Sequence, residues 1–497
     1  MPGGLSARQF WLLFLGLFVV TALPVLHVVL PPFVDYPNHL ARMHVLIEQP
    51  MSEVLQRYYE IRWRALPNLA MDLVVPMLAR VMTLEWAGKL FILSYLALLP
   101  GGAALLHRVA TGRWSVWPLF AFLFLYTHVL IWGFPNYLFG LGLALPAFAL
   151  CLALANHAWV LRTGVVSACA LVIFFAHLEA CAIFALLIAG HEIGELWRER
   201  AIFSRELPAR ALAAGLPFVI PLAILVADGL GGELGDIRYE GLLRKLAVLP
   251  MFEGHPALDI ATVAVVVLVI AVGFLRRSVT VVPVLRAPLL LLGLAYLLAP
   301  VKLMTAHGID ERLPLAIVLV LVAGTTSLRL SVVGLRVAAL AGLTLFLARV
   351  AVTELDYERA DQIYPRLIAL LDQVPRGGRL AVAFDSNAIG PSGVPINHLP
   401  TLAVIRRDAF VPTLFTLDTQ QPVSLTPAAR ALRDAADPGD LWAALMAGEA
   451  GDAAVRSALT GFDALVVLDA RPFVVPATPL LAPVGAEPDF ALYRVVH

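Results

Sequence analysis

Of the 497 residues, 60% are hydrophobic and only 14% are charged, and a mean hydropathy of +0.83 excludes an ordinary water-soluble domain. The thirty-six basic and thirty-six acidic residues cancel, so there is no overall electrostatic attraction to nucleic acid. The chain reads as a polytopic α-helical membrane protein, and Cys151, Cys169 and Cys181 fall inside apolar segments, where they read as packing residues.

The first apolar run, Phe10 to Leu30, covers the ~20 residues that a helix needs to cross a bilayer. It lacks a signal-peptide cleavage pattern and is expected to be an uncleaved first span. Further spans are expected at 86–106, 114–131, 137–155, 164–177, 179–196, 211–228, 259–275, 287–304, 313–328 and 333–350, about eleven with the first. The run Val165 to Ile193 is divided at His177-Leu178-Glu179, because a charge at mid-bilayer costs ~3 kcal/mol on insertion scales and far less at a surface turn. Residues 68–82 carry Asp72, Pro76 and Arg80 and are too short to span, so they read as an interfacial or re-entrant helix within a first outer loop, 31–85.

Arg8, Arg108, Arg113, Arg162, Arg198, Arg200, Arg205, Arg210, Arg276, Arg277, Arg286, Arg329 and Arg336 fall on one side under this count, which makes that side cytoplasmic. The N-terminus is then inside, and residues 353–497 are expected to form a soluble extracytoplasmic α/β domain behind a transmembrane module, 1–352. Strands are expected at Leu380–Phe384, Ala409–Thr416, Ala464–Leu468 and Phe490–Val496, with helices at Ala360–Gln373, Pro427–Ala436 and Asp440–Met446.

Ionisable residues bordering the apolar segments gather on the outer side: Asp35, His39 and Arg42; His177 and Glu179; Glu253 and His255; Lys302, His307, Asp310, Glu311 and Arg312. Charged groups at that depth are costly unless they are used. Asp35 stands between prolines at 31, 32 and 37, which stiffen the backbone and aim its carboxylate. It suits a general base, and the competing reading is a plain helix N-cap. His39 and Arg42 share a helical face and can grip an anion or simply pair at the surface. Pro135, Gly140 and Gly142 fit close helix packing, while Asn136 and Tyr137 beside them can line a cavity. His177 and Glu179 either face a substrate or satisfy helix ends. Arg312, after Gly308, Asp310 and Glu311, suits a phosphate clamp, since guanidinium matches phosphate geometry; snorkelling is the alternative.

This pattern resembles the GT-C superfamily of integral-membrane glycosyltransferases, which includes protein O-mannosyltransferases and lipid A aminoarabinose transferases. The resemblance rests on Asp35 in Val34-Asp35-Tyr36-Pro37-Asn38-His39, the interfacial helices of that loop, His177 at the short-helix turn, Arg312 in Asp310-Glu311-Arg312-Leu313-Pro314, and the soluble C-terminal domain. It implies transfer of a sugar from a polyprenyl-phosphate or polyprenyl-diphosphate carrier to a saccharide, lipid or protein acceptor at the outer membrane face, with inversion. Asp35 would activate the acceptor hydroxyl and Arg312 would hold the lipid phosphate, helped by Lys302 or His307. The next acid after Asp35 is Glu48, so a divalent cation has room in this picture but no defined ligand set. A flippase or transporter would show paired repeats and broken helices, and none stands out; a non-catalytic scaffold is the remaining alternative.

Overall fold

The computed structural model describes residues 4–201, 204–227, 237–252, 254–303, 306–327, 331–385, 393–418, 420–468 and 478–496. Glu253 and Arg329 of the sequence expectations lie outside these. Eight helices among the described residues are long and apolar enough to cross a membrane: Ala7–His27, Leu84–Thr111, Pro135–Ala153, Trp159–Ala176, Leu178–Arg198, Leu207–Ala227, Pro256–Leu275 and Val332–Leu371. Pro283–Leu298 is a shorter apolar helix, and Ile309–Gly324 is a 16-residue helix after it. This is an integral membrane protein.

Local chemistry sets the helix ends. Ser6 and Gln9 form a reciprocal capping box at the start of the first helix, and Thr83 caps the helix Leu84–Thr111, which stops at Gly112 in the left-handed region. Glycines set the closest packing. A β-carbon at Gly102 would stand 2.8 Å from Leu145, and one at Gly142 would stand 2.8 Å from Leu98, so the helices Leu84–Thr111 and Pro135–Ala153 approach backbone to backbone.

Two membrane expectations are corrected. The expected span 114–131 is a 3₁₀ run, Trp117–Phe124, followed by a single α-turn, His128–Ile131. A 3₁₀ helix rises ~2.0 Å per residue instead of ~1.5 Å, so the same apolar residues reach further, and Ala121 to Leu130 are buried throughout. The span expected at 333–350 and the helix expected at 360–373 are one 40-residue helix, Val332–Leu371. The loop holds the helices Tyr36–Glu48 and Ala70–Leu78, the second within the expected 68–82, while the further interfacial helix expected at Glu48–Trp63 is a short turn, Glu53–Gln56, before the strand Tyr59–Ile61.

The C-terminal α/β domain is built on a four-stranded sheet in the order Leu481–Glu487, Phe490–Val495, Ala464–Leu468, Leu380–Phe384. Leu380–Phe384 and Ala464–Leu468 run parallel, and the other neighbours are antiparallel. Helices Pro427–Ala435 and Pro438–Met446 occupy the expected places. Ala409–Thr416 is not a strand; only Phe410 bridges, to Arg379.

The first loop and this domain are knitted together. Tyr59–Ile61 pairs antiparallel with Val423–Leu425, Tyr58 donates its hydroxyl to the Gly377 carbonyl at 2.8 Å, and His44 meets Asp408 at 3.1 Å. The first helix is tied to the long helix by His27–Glu354 and by Asp361, which accepts from the Val29 N–H.

Candidate active site

Asp35 sits at the N-cap position of the loop helix Tyr36–Glu48, with αR backbone angles and no capping bond from its side chain. Asp35 thus takes the N-cap position while its carboxylate makes no capping bond. Its backbone is stitched to the chain before Pro135: Val34 N–H donates to Ile131 O at 2.8 Å and Asp35 N–H to Trp132 O at 3.2 Å. The next residue, Gly133, has φ +84°, and a β-carbon there would stand 3.0 Å from the Asp35 nitrogen. Only glycine admits both the backbone angle and the approach. Burial pushes the Asp35 carboxyl up to about 7, against the pull of the Arg312 and Arg42 guanidiniums.

Arg312 approaches the same place from the helix Ile309–Gly324, which starts after Gly308 in the left-handed region. It is buried, 7% exposed, so snorkelling does not describe it. One Nη donates to Glu179 Oε2 at 2.8 Å and the other to the His307 carbonyl at 3.0 Å. Its guanidinium carbon lies 4.2 Å from the centre of the Phe134 ring and 5.9 Å from that of Tyr137. Arg312 Nε and Glu179 Oε1 are buried without a hydrogen-bond partner among the described residues. Consecutive residues thus connect the two groups, with Gly133 against Asp35 and Phe134 under Arg312.

The remaining candidates divide into those beside this pair and those that build the frame. Tyr137 donates its hydroxyl to the Arg312 carbonyl at 2.7 Å and packs its ring edge against His177. His177 Nδ1 accepts from the Glu179 N–H, an N-cap made by an imidazole. His39 is half-buried beside Phe415 and the Gly133 backbone, and desolvation with the Arg42 charge pushes its imidazole well down. Arg42 does not reach Asp35 by hydrogen bond; it makes a two-pronged pair with Asp72 at 2.7 and 2.9 Å, both side chains 1% exposed. Asn136 also belongs to the frame, accepting from the Met71 N–H at 2.8 Å and donating to the Asn68 carbonyl. Lys302 lies in a two-stranded ribbon with His307, whose side chain is exposed.

Other ion pairs brace the neighbourhood. Asp310 and Glu311 are held by Arg244, and Asp310 also by Lys245, 3.3 Å away. Asp259 pairs with Arg349 at 2.7 Å. Among the described residues, His27, Glu354 and Glu358 bring three ligand atoms within 4.8 Å of one another; that trio includes neither Asp35 nor Arg312.

His398 was not legible as a site residue. Its Nε2 lies 3.4 Å from Asp35 Oδ1, and its Nδ1 lies 3.2 Å from Asn38 Nδ2, across 360 positions of sequence. The one local signal is a repeated tripeptide, Asn38-His39-Leu40 and Asn397-His398-Leu399, too short to carry weight alone.

No family model matches the sequence, and no curated protein matches it. A solved structure does: ArnT from Cupriavidus metallidurans in the apo state, with a TM-score of 0.51 over 99% of both chains at 13% identity. The chain has the ArnT fold. The ArnT-like architecture accounts for a helical membrane part followed by a C-terminal domain over almost the whole length.

Proposed function

We propose that this protein is a GT-C glycosyltransferase that moves a sugar from a polyprenyl phosphate or diphosphate to an acceptor at the outer face of the membrane. The observation that carries the reading is the placement of a proton-accepting carboxylate and a buried guanidinium on the adjacent residues Gly133 and Phe134, within an ArnT-like fold. The basic residues of the short loops support a cytoplasmic N-terminus and an outward-facing site, with a membrane module over 1–352 and an outer domain over 353–497.

In this mechanism Asp35 accepts the proton of the acceptor hydroxyl as its oxygen attacks the anomeric carbon. The bond from that carbon to the phosphate oxygen breaks, and its electron pair leaves with the lipid phosphate. Arg312 stabilises the charge that develops there, using the Nε hydrogen that has no partner among the described residues and an Nη released from Glu179. A single displacement inverts the anomeric carbon. Asp35, at about 7, is poised to accept a proton near neutral pH. His39, Tyr137, His177 and Glu179 shape and orient the pair; Lys302 and His307 lie on the ribbon leading into the Arg312 helix and suit the outer end of the phosphate.

Proteoliposomes holding the purified protein and a labelled polyprenyl-phosphate sugar test the reading. Loss of label from the lipid to an added membrane extract, dependent on the protein, is the expected result. Label that crosses the bilayer still attached to its lipid would instead identify a transporter.

A further inference from the structure

Outside the Asp35–Arg312 pair, buried charges meet one another in the ion pairs Arg42–Asp72 and Arg349–Asp259 and in the Arg244 cluster. The group that points from the C-terminal domain at the membrane site is His398. We propose that His398 is a positioning residue for Asp35: its Nε2–H holds one carboxylate oxygen, so that the other oxygen faces the acceptor hydroxyl. The inference rests on Asp35 being the base of the reaction.

The tautomer follows from Asn38. Its Oδ1 accepts the Phe415 N–H at 2.7 Å, and its Nδ2 donates to the Thr413 carbonyl at 2.7 Å. A backbone N–H can only donate and a carbonyl can only accept, so both partners fix which way the amide faces. The second Nδ2 hydrogen then meets His398 Nδ1 at 3.2 Å, and that nitrogen must accept. The ring proton is left on Nε2, which stands 3.4 Å from Asp35 Oδ1. That is ion-pair distance, a little beyond the ~2.7–3.2 Å of an N–H···O hydrogen bond, and catalytic contacts of this kind shorten when substrate binds.

The surroundings keep the imidazole neutral and in place. Phe415 packs edge-on against His398 at 5.1 Å and against His39 at 5.7 Å, and burial pushes His398 down to about 4. The charged and titratable groups bearing on Asp35 are then Arg312 from its helix, Arg42 from the loop helix and His398 from the C-terminal domain. His39 packs on the same Phe415 ring as His398 and interacts with it and with Arg42, which Asp72 pairs. Of these, His398 is the neutral donor whose Nε2 stands nearest a carboxylate oxygen, at 3.4 Å. A donor to the ionised carboxylate lowers its proton affinity, so His398 tunes the base as well as orienting it. It also makes the C-terminal domain part of the site: Asn38, Thr413, Phe415 and His398 lock the loop helix to that domain.

His398→Phe keeps a buried ring against Phe415 and removes the donor, whereas His398→Gln keeps an amide N–H. Infrared titration in nanodiscs, with Asp35→Asn as the difference reference, reads the Asp35 carboxyl directly and does not depend on turnover. His398→Phe is expected to move its midpoint up by about one pH unit, a tenfold change in proton affinity, and His398→Gln to restore most of it. Where the wild type transfers sugar, the acid limb of its pH–rate profile moves by the same amount. An unchanged midpoint in His398→Phe, or a shift that His398→Gln shares in full, would overturn the proposal. A normal infrared shift in a protein that transfers no sugar would instead count against the transferase reading and leave the His398–Asp35 contact standing.

Discussion

Arg42 and Arg312 are both buried, and both draw on the Asp35 carboxyl, yet their carboxylate partners use them differently. Asp72 spends both oxygens on Arg42, at 2.7 and 2.9 Å. Among the described residues, Glu179 gives Arg312 one oxygen and keeps Oε1 unpaired, and Arg312 keeps Nε unpaired as Arg42 keeps Nη1. A closed pair of this kind fixes the loop helix Tyr36–Glu48 against Ala70–Leu78; an open pair retains hydrogen-bonding capacity for an anion. Burial by itself therefore does not mark the functional arginine. Nor does a spare donor over an aromatic ring, because Arg349 over Phe252 has both among the described residues; what sets Arg312 apart is its place, over the Phe134 that follows Gly133, the glycine against Asp35.

The largest expected effect falls on neither arginine but on the carboxylate between them. Asp35→Asn removes the proton acceptor while keeping shape, and sugar transfer measured in proteoliposomes should fall on the order of a thousandfold. Arg42→Ala should act on the fold: it strands Asp72, 1% exposed, without its counter-ion, at ~3–5 kcal/mol, seen as a lower unfolding temperature in detergent. Arg312→Ala should leave that temperature closer to wild type and slow transfer by ~100-fold, with Arg312→Lys recovering only part, since an ammonium lacks the fork. Equal thermal losses in the two variants would dissolve the distinction between closed and open pairs.

A smaller effect is the pH dependence. With Asp35 at about 7, transfer should rise about tenfold per pH unit up to that point and then level. Removing Arg312 should move this limb to higher pH, and removing Arg42 should move it less, because a carboxylate that loses a neighbouring cation holds its proton longer. The sign for stability is opposite. The folded carboxyl binds its proton more tightly than the unfolded chain, whose value is near 3.8, so its contribution to stability is full below about 4 and is lost as pH rises through about 7. Asp35→Asn should flatten that decline in thermal unfolding. The smallest effect expected is Asn136→Ala, which frees the Met71 N–H and the Asn68 carbonyl and should cost ~1–3 kcal/mol with little change in turnover per folded molecule.

Local sequence carried the membrane helices and the two charged groups, because apolar length and a charge beside it are properties of consecutive residues. It failed where backbone is governed by distant partners. The composition change at Glu354-Leu355-Asp356 marks solvent, not a break, and the helix Val332–Leu371 runs through it on good helix formers. The stretch Ala409–Thr416 has strand-like residues, but its carbonyl at Thr413 and N–H at Phe415 are taken by the Asn38 side chain. Leu481–Glu487 was missed because Pro483 and Gly485 read as a turn; at a sheet edge, with the register shifting between them, both are tolerated. His398 was invisible for the same reason as these: its role exists only through Asn38, 360 positions away.

The central claim is a division of labour, with Asp35 acting on the acceptor and Arg312 on the lipid phosphate. Equilibrium binding of a labelled polyprenyl-phosphate sugar to Asp35→Asn and Arg312→Ala proteins in nanodiscs tests it most directly. The account predicts wild-type binding by Asp35→Asn without turnover, and binding weakened at least about tenfold by Arg312→Ala, one charge-assisted contact. Wild-type binding by the Arg312→Ala protein, or loss of binding by Asp35→Asn, would contradict it.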